Sequence, residues 1–364
     1  MTEYPLKPEE RVLFALRGLY QKYGYSQFKM SKFEEYDLYA RNKDFLISDG
    51  VITFTDTDGR LMALKPDVTL SIIKNTRHAP GDVQKLYYSE NVYRISGSTR
   101  SFKEIMQTGL ECIGDVDLYN LCEVISLAAQ SLKLIDPHYV LDLSHMGVVS
   151  ALVDALQPEG EVREQVLRCV AEKNADGVRK LCPGQNTDAI CAMIAARGPA
   201  RDVIESMRPW CADGPAREAL AELERVAAVL SATGCEGVNV DFSIVNDMNY
   251  YNGIVFMGYI DGIPSSVLSG GQYDKLMRRM GHASRAVGFA IYTDLLERLS
   301  GGQRPYDVDT VLLYDDSADA AALSLAIQKL TGSGGSVCAL KRVPEKLRYR
   351  RLLRFEEGGI ASNA

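Results

Sequence analysis

"YYSENVYRISGSTRSFKEIMQTGLECIG", Tyr87 to Gly114, is two strand-like runs around a polar centre. "KLYYSENVYRI" and "KEIMQTGLECIG" are rich in β-branched, aromatic and apolar residues, and "SGSTRSF" reads as the loop that joins them. On the second run, period-two alternation places Gln107, Gly109 and Glu111 on one face. Glycine removes side-chain bulk between the two polar residues, as a sheet does where a ligand lies across it. A solvated face is the plainer alternative for this pair.

The flanking sequence extends the pattern. Residues 7 to 23 carry Val12, Leu13, Leu16, Leu19 and Tyr20 at helical spacing, with Gly24 at the expected cap position. "YSQFKM" alternates as a strand, and "DGVITFTDTDGRLMAL" reads as a hairpin turning at Asp58-Gly59. "DVTLSIIKNT" reads as a helix with Asp67 near its start, a position that a simple helix cap would also explain. A helix from about Leu118 to Leu134 and a strand at "YVLDLSH" follow.

From about Val148 to Ala232 the chain is rich in Ala, Leu, Glu and Arg, which predicts a helical insertion spanning about 150–235. It is broken near Pro183-Gly184 and Pro209. Strands return with "NVDFSIV", "YYNGIVFMGYI" and "SSVLSGGQYDKLM". In the second of these, adjacent tyrosines on a strand would face opposite ways, Tyr251 to a pocket and Tyr250 to packing. Gly270-Gly271 in the third would fit a bulge. "RAVGFAIYTDLLERL" reads as a strand running into a helix, and Ser300-Gly301-Gly302 with Pro305 as a linker. The tail carries one β-α-β unit, "TVLLY", "ADAAALSLAIQKL" and "SVCAL". The expectation is an α+β protein: a mainly antiparallel sheet flanked by helices over 1–300, and a small, truncated α/β domain over 306–364.

Composition narrows the function classes. Of 364 residues, 46% are hydrophobic and 24% charged, as in ordinary globular chains. No apolar run approaches the roughly 18–20 residues that span a bilayer. The N-terminus lacks a basic segment followed by an apolar one, so a cytoplasmic protein is expected, with no membrane partner. Eight scattered cysteines form no CxxC pair, so neither a metal site nor a disulfide framework is expected, and no cofactor either. The net charge of −7 weighs against tRNA or other nucleic acid as a partner. The basic cluster at Leu340–Arg354 is expected to be a solvated helix face or a protein contact.

Taken in order, the segments resemble the catalytic core of class II aminoacyl-tRNA synthetases, specifically histidyl-tRNA synthetase, over about residues 5–300. "KYGYSQFKMSKFEEYDLY" is similar to the first class motif, with Ser31 where a proline is usual. "YYSENVYR" with "RSFKEIMQTGLECIG" resembles the second, and "RAVGFAIYTDLLERL" the third. "LKPDVT", "YYNGIVF" and "SGGQYDKLM" resemble the segments that recognise histidine. The resemblance implies that Asp67 (a glutamate in the family), Thr69 and Gln107 hold the α-ammonium of L-histidine. Glu111 and Tyr251, with Tyr250 beside it, would meet the imidazole, and Arg94 the carboxylate.

The same resemblance exposes what is missing. Adenylation needs positive charge around a triphosphate, and each donor lost costs about 3–4 kcal/mol of transition-state stabilisation. Where the synthetases keep an arginine before the tyrosine pair, this chain has Asn246 with Asp247 beside it. Their second-motif glutamate is Ser96 here, and their third-motif arginine is Leu295. The 59 residues from 306 to 364 are too few for a full anticodon-binding domain. These departures are shared with a paralogous family, the regulatory subunits of ATP phosphoribosyltransferase. That resemblance implies a non-catalytic subunit that pairs with itself through the synthetase-like core and assembles with a short-form catalytic subunit into a hetero-octamer. It would activate its partner and make histidine a feedback inhibitor of the first step of histidine biosynthesis. Two other readings stay open here: an amino-acid-binding pseudo-synthetase scaffold with another partner, and an active histidine–tRNA ligase.

Overall fold

The computed structural model describes residues 8–46, 50–76, 81–96, 99–245, 250–298, 306–356 and 359–361. The chain divides into two compact units, Pro8–Leu299 and a second built on 300–364.

In the larger unit the strands are β1 (Ser26–Gln27), β2 (Phe33–Glu35), β3 (Thr53–Thr55), β4 (Leu61–Leu64), β5 (Val83–Ile95) and β6 (Phe102–Gly114). They continue with β7 (Tyr139–His145), β8 (Arg197–Pro199), β9 (Val238–Asp241), β10 (Ile254–Ile260), β11 (Leu268–Gln272) and β12 (Arg285–Tyr292). Its helices are α1 (Pro8–Lys22), α2 (Tyr36–Arg41), α3 (Thr69–Asn75), α4 (Leu118–Ile135), α5 (Met146–Asp154) and α6 (Glu161–Ala171). Then come α7 (Ala175–Leu181), α8 (Asp188–Ala195), α9 (Ala200–Met207), α10 (Gly214–Ala232) and α11 (Asp274–Arg279).

Among the described residues the main sheet has nine strands, in the order β1-β5-β6-β12-β11-β10-β7-β9-β8. It is antiparallel except where β1 meets β5 and β7 meets β9. β5 and β6 pair over their whole length, from Val83 opposite Gly114 to Ile95 opposite Phe102. The sheet sorts its side chains by parity. Leu110 and Cys112 of β6, with Val287, Phe289 and Ile291 of β12, enter the main core beneath α1 and α4. Gln107, Gly109 and Glu111 take the other face, where a second apolar cluster packs Tyr88, α3, Tyr250 and Tyr273 against the sheet. A three-stranded sheet, β2-β4-β3, belongs to that layer.

Local chemistry fixes the ends of these elements. Gly24 closes α1 at φ 81°, a conformation open to glycine at no steric cost. A capping box between Asp117 and Asn120 starts α4, satisfying amides that would otherwise lack partners. The inserted stretch is helical from α5 to α10, with the short strand β8 added to the edge of the sheet.

Several local expectations change. "YSQFKM" contributes only two strand residues, Ser26 and Gln27. Tyr250 and Tyr251 lie ahead of β10, which begins at Ile254, so strand alternation does not sort them. Gly270-Gly271 is no bulge, since β11 keeps regular register with both neighbours. Asn246, Asp247 and the 300–305 linker lie outside the described residues.

The smaller unit holds β13 (Val308–Leu313), α12 (Ala320–Gly332), β14 (Val337–Leu340), β15 (Tyr349–Glu356) and β16 (Gly359–Ala361). Its sheet order is β14-β13-β15-β16, so the tail extends past a single β-α-β unit. The basic cluster is no helix: it turns after β14 and becomes β15, parallel to β13. Alternation lets Leu353 and Phe355 join the small core while Arg350 and Arg354 stay exposed.

Candidate functional site

Asp67, Thr69, Arg94, Gln107, Glu111, Tyr250 and Tyr251, seven residues from four separate stretches, line one cavity. Each arrives by a definite route. β5 presents Tyr88 and Arg94, and β6 presents Gln107 and Glu111, all on the face away from the main core. The turn before α3 brings Asp67, whose Oδ1 accepts the Leu70 amide at 2.9 Å, and Thr69 follows at the start of that helix.

The tyrosine pair is held by β11. Gln272 Oε1 accepts the Ile254 amide at 2.6 Å, and its carbonyl accepts the Asn252 amide at 3.0 Å. Both rings line the cavity, with centroids 4.7 Å apart and edge to face. Tyr250 is therefore a wall of the pocket as well as a packing residue.

Glu111 is the centre of the site. Its Oε1 accepts from Thr69 Oγ1 at 2.8 Å and its Oε2 from the Tyr273 hydroxyl at 2.6 Å. Burial pushes its carboxyl up to about 8, while the hydrogen bonds from Tyr273 and Thr69 work against that rise. Asp67 is raised by burial too, and the Leu70 amide and the Arg94 guanidinium oppose it. Burial also raises Tyr273, with the neighbouring Glu111 adding to it, so its phenol stays a donor. Arg94 donates from Nε to the Pro66 carbonyl at 3.1 Å, which fixes its guanidinium beside Asp67.

Two glycines make this geometry possible, for different reasons. A Cβ at Gly288 would lie 1.7 Å from Glu111 Oε2, so the carboxylate occupies the space that Gly288 leaves. A Cβ at Gly109 would lie 2.6 Å from the Tyr88 hydroxyl. The room between Gln107 and Glu111 is thus filled by Tyr88 rather than left for a ligand. The cavity that remains is closed down to about 30 Å³, so a ligand of amino-acid size enters only if the side chains around it move apart.

Tyr273 was missed as a site residue in the sequence. It lies in "SGGQYD", and its signal was its place just past β11, before α11. The positions compared with catalytic arginine and glutamate are different in character. Ser96 is buried in the turn at the tip of the β5–β6 hairpin, its amide donating to the Ser101 carbonyl at 2.8 Å. Leu295, in the 3-10 helix Thr293–Arg298, packs against the main core. Among the described residues no three His, Cys, Asp or Glu side chains gather in a metal-binding arrangement, and no helix is long and apolar enough to cross a membrane.

The family model of histidyl-tRNA synthetase matches residues 5–296. The chain belongs to the histidyl-tRNA synthetase family. Within the family, it is 27% identical over 337 residues to an ATP phosphoribosyltransferase regulatory subunit of Bacillus mycoides, covering 88% of this chain and 80% of that one. It is similar to the crystal structure of an ATP phosphoribosyltransferase regulatory subunit/histidyl-tRNA synthetase from Bacillus halodurans. That likeness has a TM-score of 0.79 and 26% identity, over 95% of this chain and 93% of the other. A chain of the ATP phosphoribosyl transferase complex from Thermotoga maritima shares the fold at a TM-score of 0.63 and 21% identity, over 78% of this chain and 97% of that one.

Proposed function

We propose that this protein is the non-catalytic regulatory subunit of ATP phosphoribosyltransferase, and that its pocket binds L-histidine. The observation that carries the reading is a division within one synthetase-like fold. The residues that would recognise the amino acid converge on a single buried cavity, whereas Leu295, at the position compared with the third-motif arginine, is apolar and packs against the main core. Asp67, Thr69 and Gln107 would hold the α-ammonium, Arg94 the carboxylate, and Glu111 with the tyrosine pair the imidazole. A pocket that recognises an amino acid and cannot activate it acts as a sensor, provided histidine binds one state of the assembly better than another.

The names of the Bacillus relatives support this reading, as does the net charge of −7, which disfavours tRNA. In this account the chain dimerises through its synthetase-like core and joins a short-form catalytic subunit in a hetero-octamer in the cytoplasm. It performs no aminoacylation, and it makes the first step of histidine biosynthesis responsive to histidine. Phosphoribosyl-ATP formation by a short-form catalytic subunit, assayed with and without this chain and histidine, tests the proposal.

A further inference from the structure

The charges that face the cavity do not balance, and the imbalance concerns the ligand. Among the described residues, two acids, Asp67 and Glu111, share the space with one guanidinium, Arg94. A zwitterionic amino acid adds one ammonium, opposite Asp67, and one carboxylate, opposite Arg94. Glu111 is then left as a buried acid, 2% exposed, with no counter-charge. Burying an uncompensated carboxylate is too costly, so the complex must hold one more proton. The choice is between Glu111 and the ligand ring.

The hydrogen bonds decide where it sits. Both Glu111 oxygens accept hydroxyl protons, from Thr69 and Tyr273, and these two bonds strengthen when the carboxyl gives up its proton. An imidazolium offers two N–H donors, one for Glu111 and one for a tyrosine oxygen, whereas neutral imidazole offers one. The tyrosines that line the pocket, Tyr88, Tyr250 and Tyr251 among them, are aromatic neighbours that favour a cation over a neutral ring.

Resting on the reading that the pocket holds histidine, we propose that it binds histidine with its side chain as the imidazolium cation, the extra proton passing from the Glu111 carboxyl to the ring. The balance is simple: an O–H bond breaks on Glu111, an N–H bond forms on imidazole, and a neutral pair becomes an ion pair. Burial raises the Glu111 carboxyl to about 8, which favours its protonated form in the empty pocket at pH 7 and puts the proton at hand before the ligand arrives. The remaining titratable groups around Glu111 are the phenols of Tyr88, Tyr250, Tyr251, Tyr273 and Tyr292, together with the Cys112 thiol on the far face of β6. Burial raises the phenols of Tyr88, Tyr250 and Tyr273 well above their usual range and pushes the Cys112 thiol up to about 12, so these groups hold their protons near pH 7 and do not compete for the role.

The test uses the full chain and ring-¹⁵N-labelled L-histidine at pH 7. The bound ring is expected to show both nitrogens protonated in the ¹⁵N spectrum, although free histidine at this pH is mostly neutral. A bound ring with one protonated nitrogen overturns the proposal while leaving the pocket assignment standing. The absence of binding by calorimetry overturns both. Titrations in buffers of different ionisation enthalpy are expected to show almost no net proton exchange, and uptake of a full proton would rule out Glu111 as the source. Triazolylalanine, of similar shape but with a barely basic ring, is expected to bind at least about tenfold more weakly than histidine. Equal affinity would contradict a cationic ring.

Discussion

The hydroxyl of Tyr273 donates to Glu111 Oε2 across 2.6 Å, joining residues 162 positions apart at the buried centre of the pocket. Removing this donor leaves the carboxylate one partner short in a site that water barely enters. A hydrogen bond to a charged group is worth about 1.5–3 kcal/mol. Tyr273→Phe is therefore expected to weaken histidine binding by about tenfold to a hundredfold, measured by calorimetry, with the fold unchanged by circular dichroism. Unchanged affinity would mean that Tyr273 merely packs.

Glu111 also makes stability depend on pH. Its carboxyl lies near 8 in the folded chain, raised by burial from an ordinary value of 4.5. An acid raised on folding favours the native state while protonated. That contribution is complete below the unfolded value and is lost as pH rises from about 4.5 through 8, at up to about 1.4 kcal/mol per pH unit. Glu111→Gln cannot ionise. Urea midpoints at pH 5.5 and pH 8 are expected to fall less with pH in this variant than in the wild type, and parallel falls would refute the assignment.

Gly288 is held to glycine by its neighbours rather than by its backbone angle. A Cβ would meet both the Glu111 carboxylate and the Leu110 carbonyl, the latter at 2.6 Å in a strand that cannot move aside freely. Gly288→Ala is expected to cost about 1–3 kcal/mol of stability by overpacking, and to abolish histidine binding because the carboxylate is displaced. Thermal unfolding and calorimetry on the same sample check both effects.

The chain is expected to show no histidine-dependent ATP–pyrophosphate exchange. Leu295→Arg should not restore it, since in the proposed reading other donors around the triphosphate are replaced as well. It should instead lower stability by about 1–3 kcal/mol, because a guanidinium would stand where Leu295 packs against the core. Exchange above background in either protein would contradict the non-catalytic reading.

Much of this arrangement was legible in the chain because it rests on alternation. The β5–β6 hairpin and the shared face of Gln107, Gly109 and Glu111 follow from period two along two long strands. What escaped depends on neighbours remote in sequence. Nothing near Gly109 says that Tyr88 fills its space, and nothing near Tyr273 says that Glu111 is its acceptor. Tyr250 and Tyr251 were sorted by a strand rule that ends at Ile254, where the strand begins. In Tyr349–Glu356, arginines on the outer positions of β15 hide the alternation of Leu353 and Phe355.

The measurement closest to the central claim is phosphoribosyl-ATP formation by a short-form ATP phosphoribosyltransferase catalytic subunit mixed with this chain. The account predicts that the catalytic subunit gains activity only in the mixture, that histidine suppresses it, and that Glu111→Ala removes the suppression. A catalytic subunit whose rate is the same with and without this chain would contradict the account.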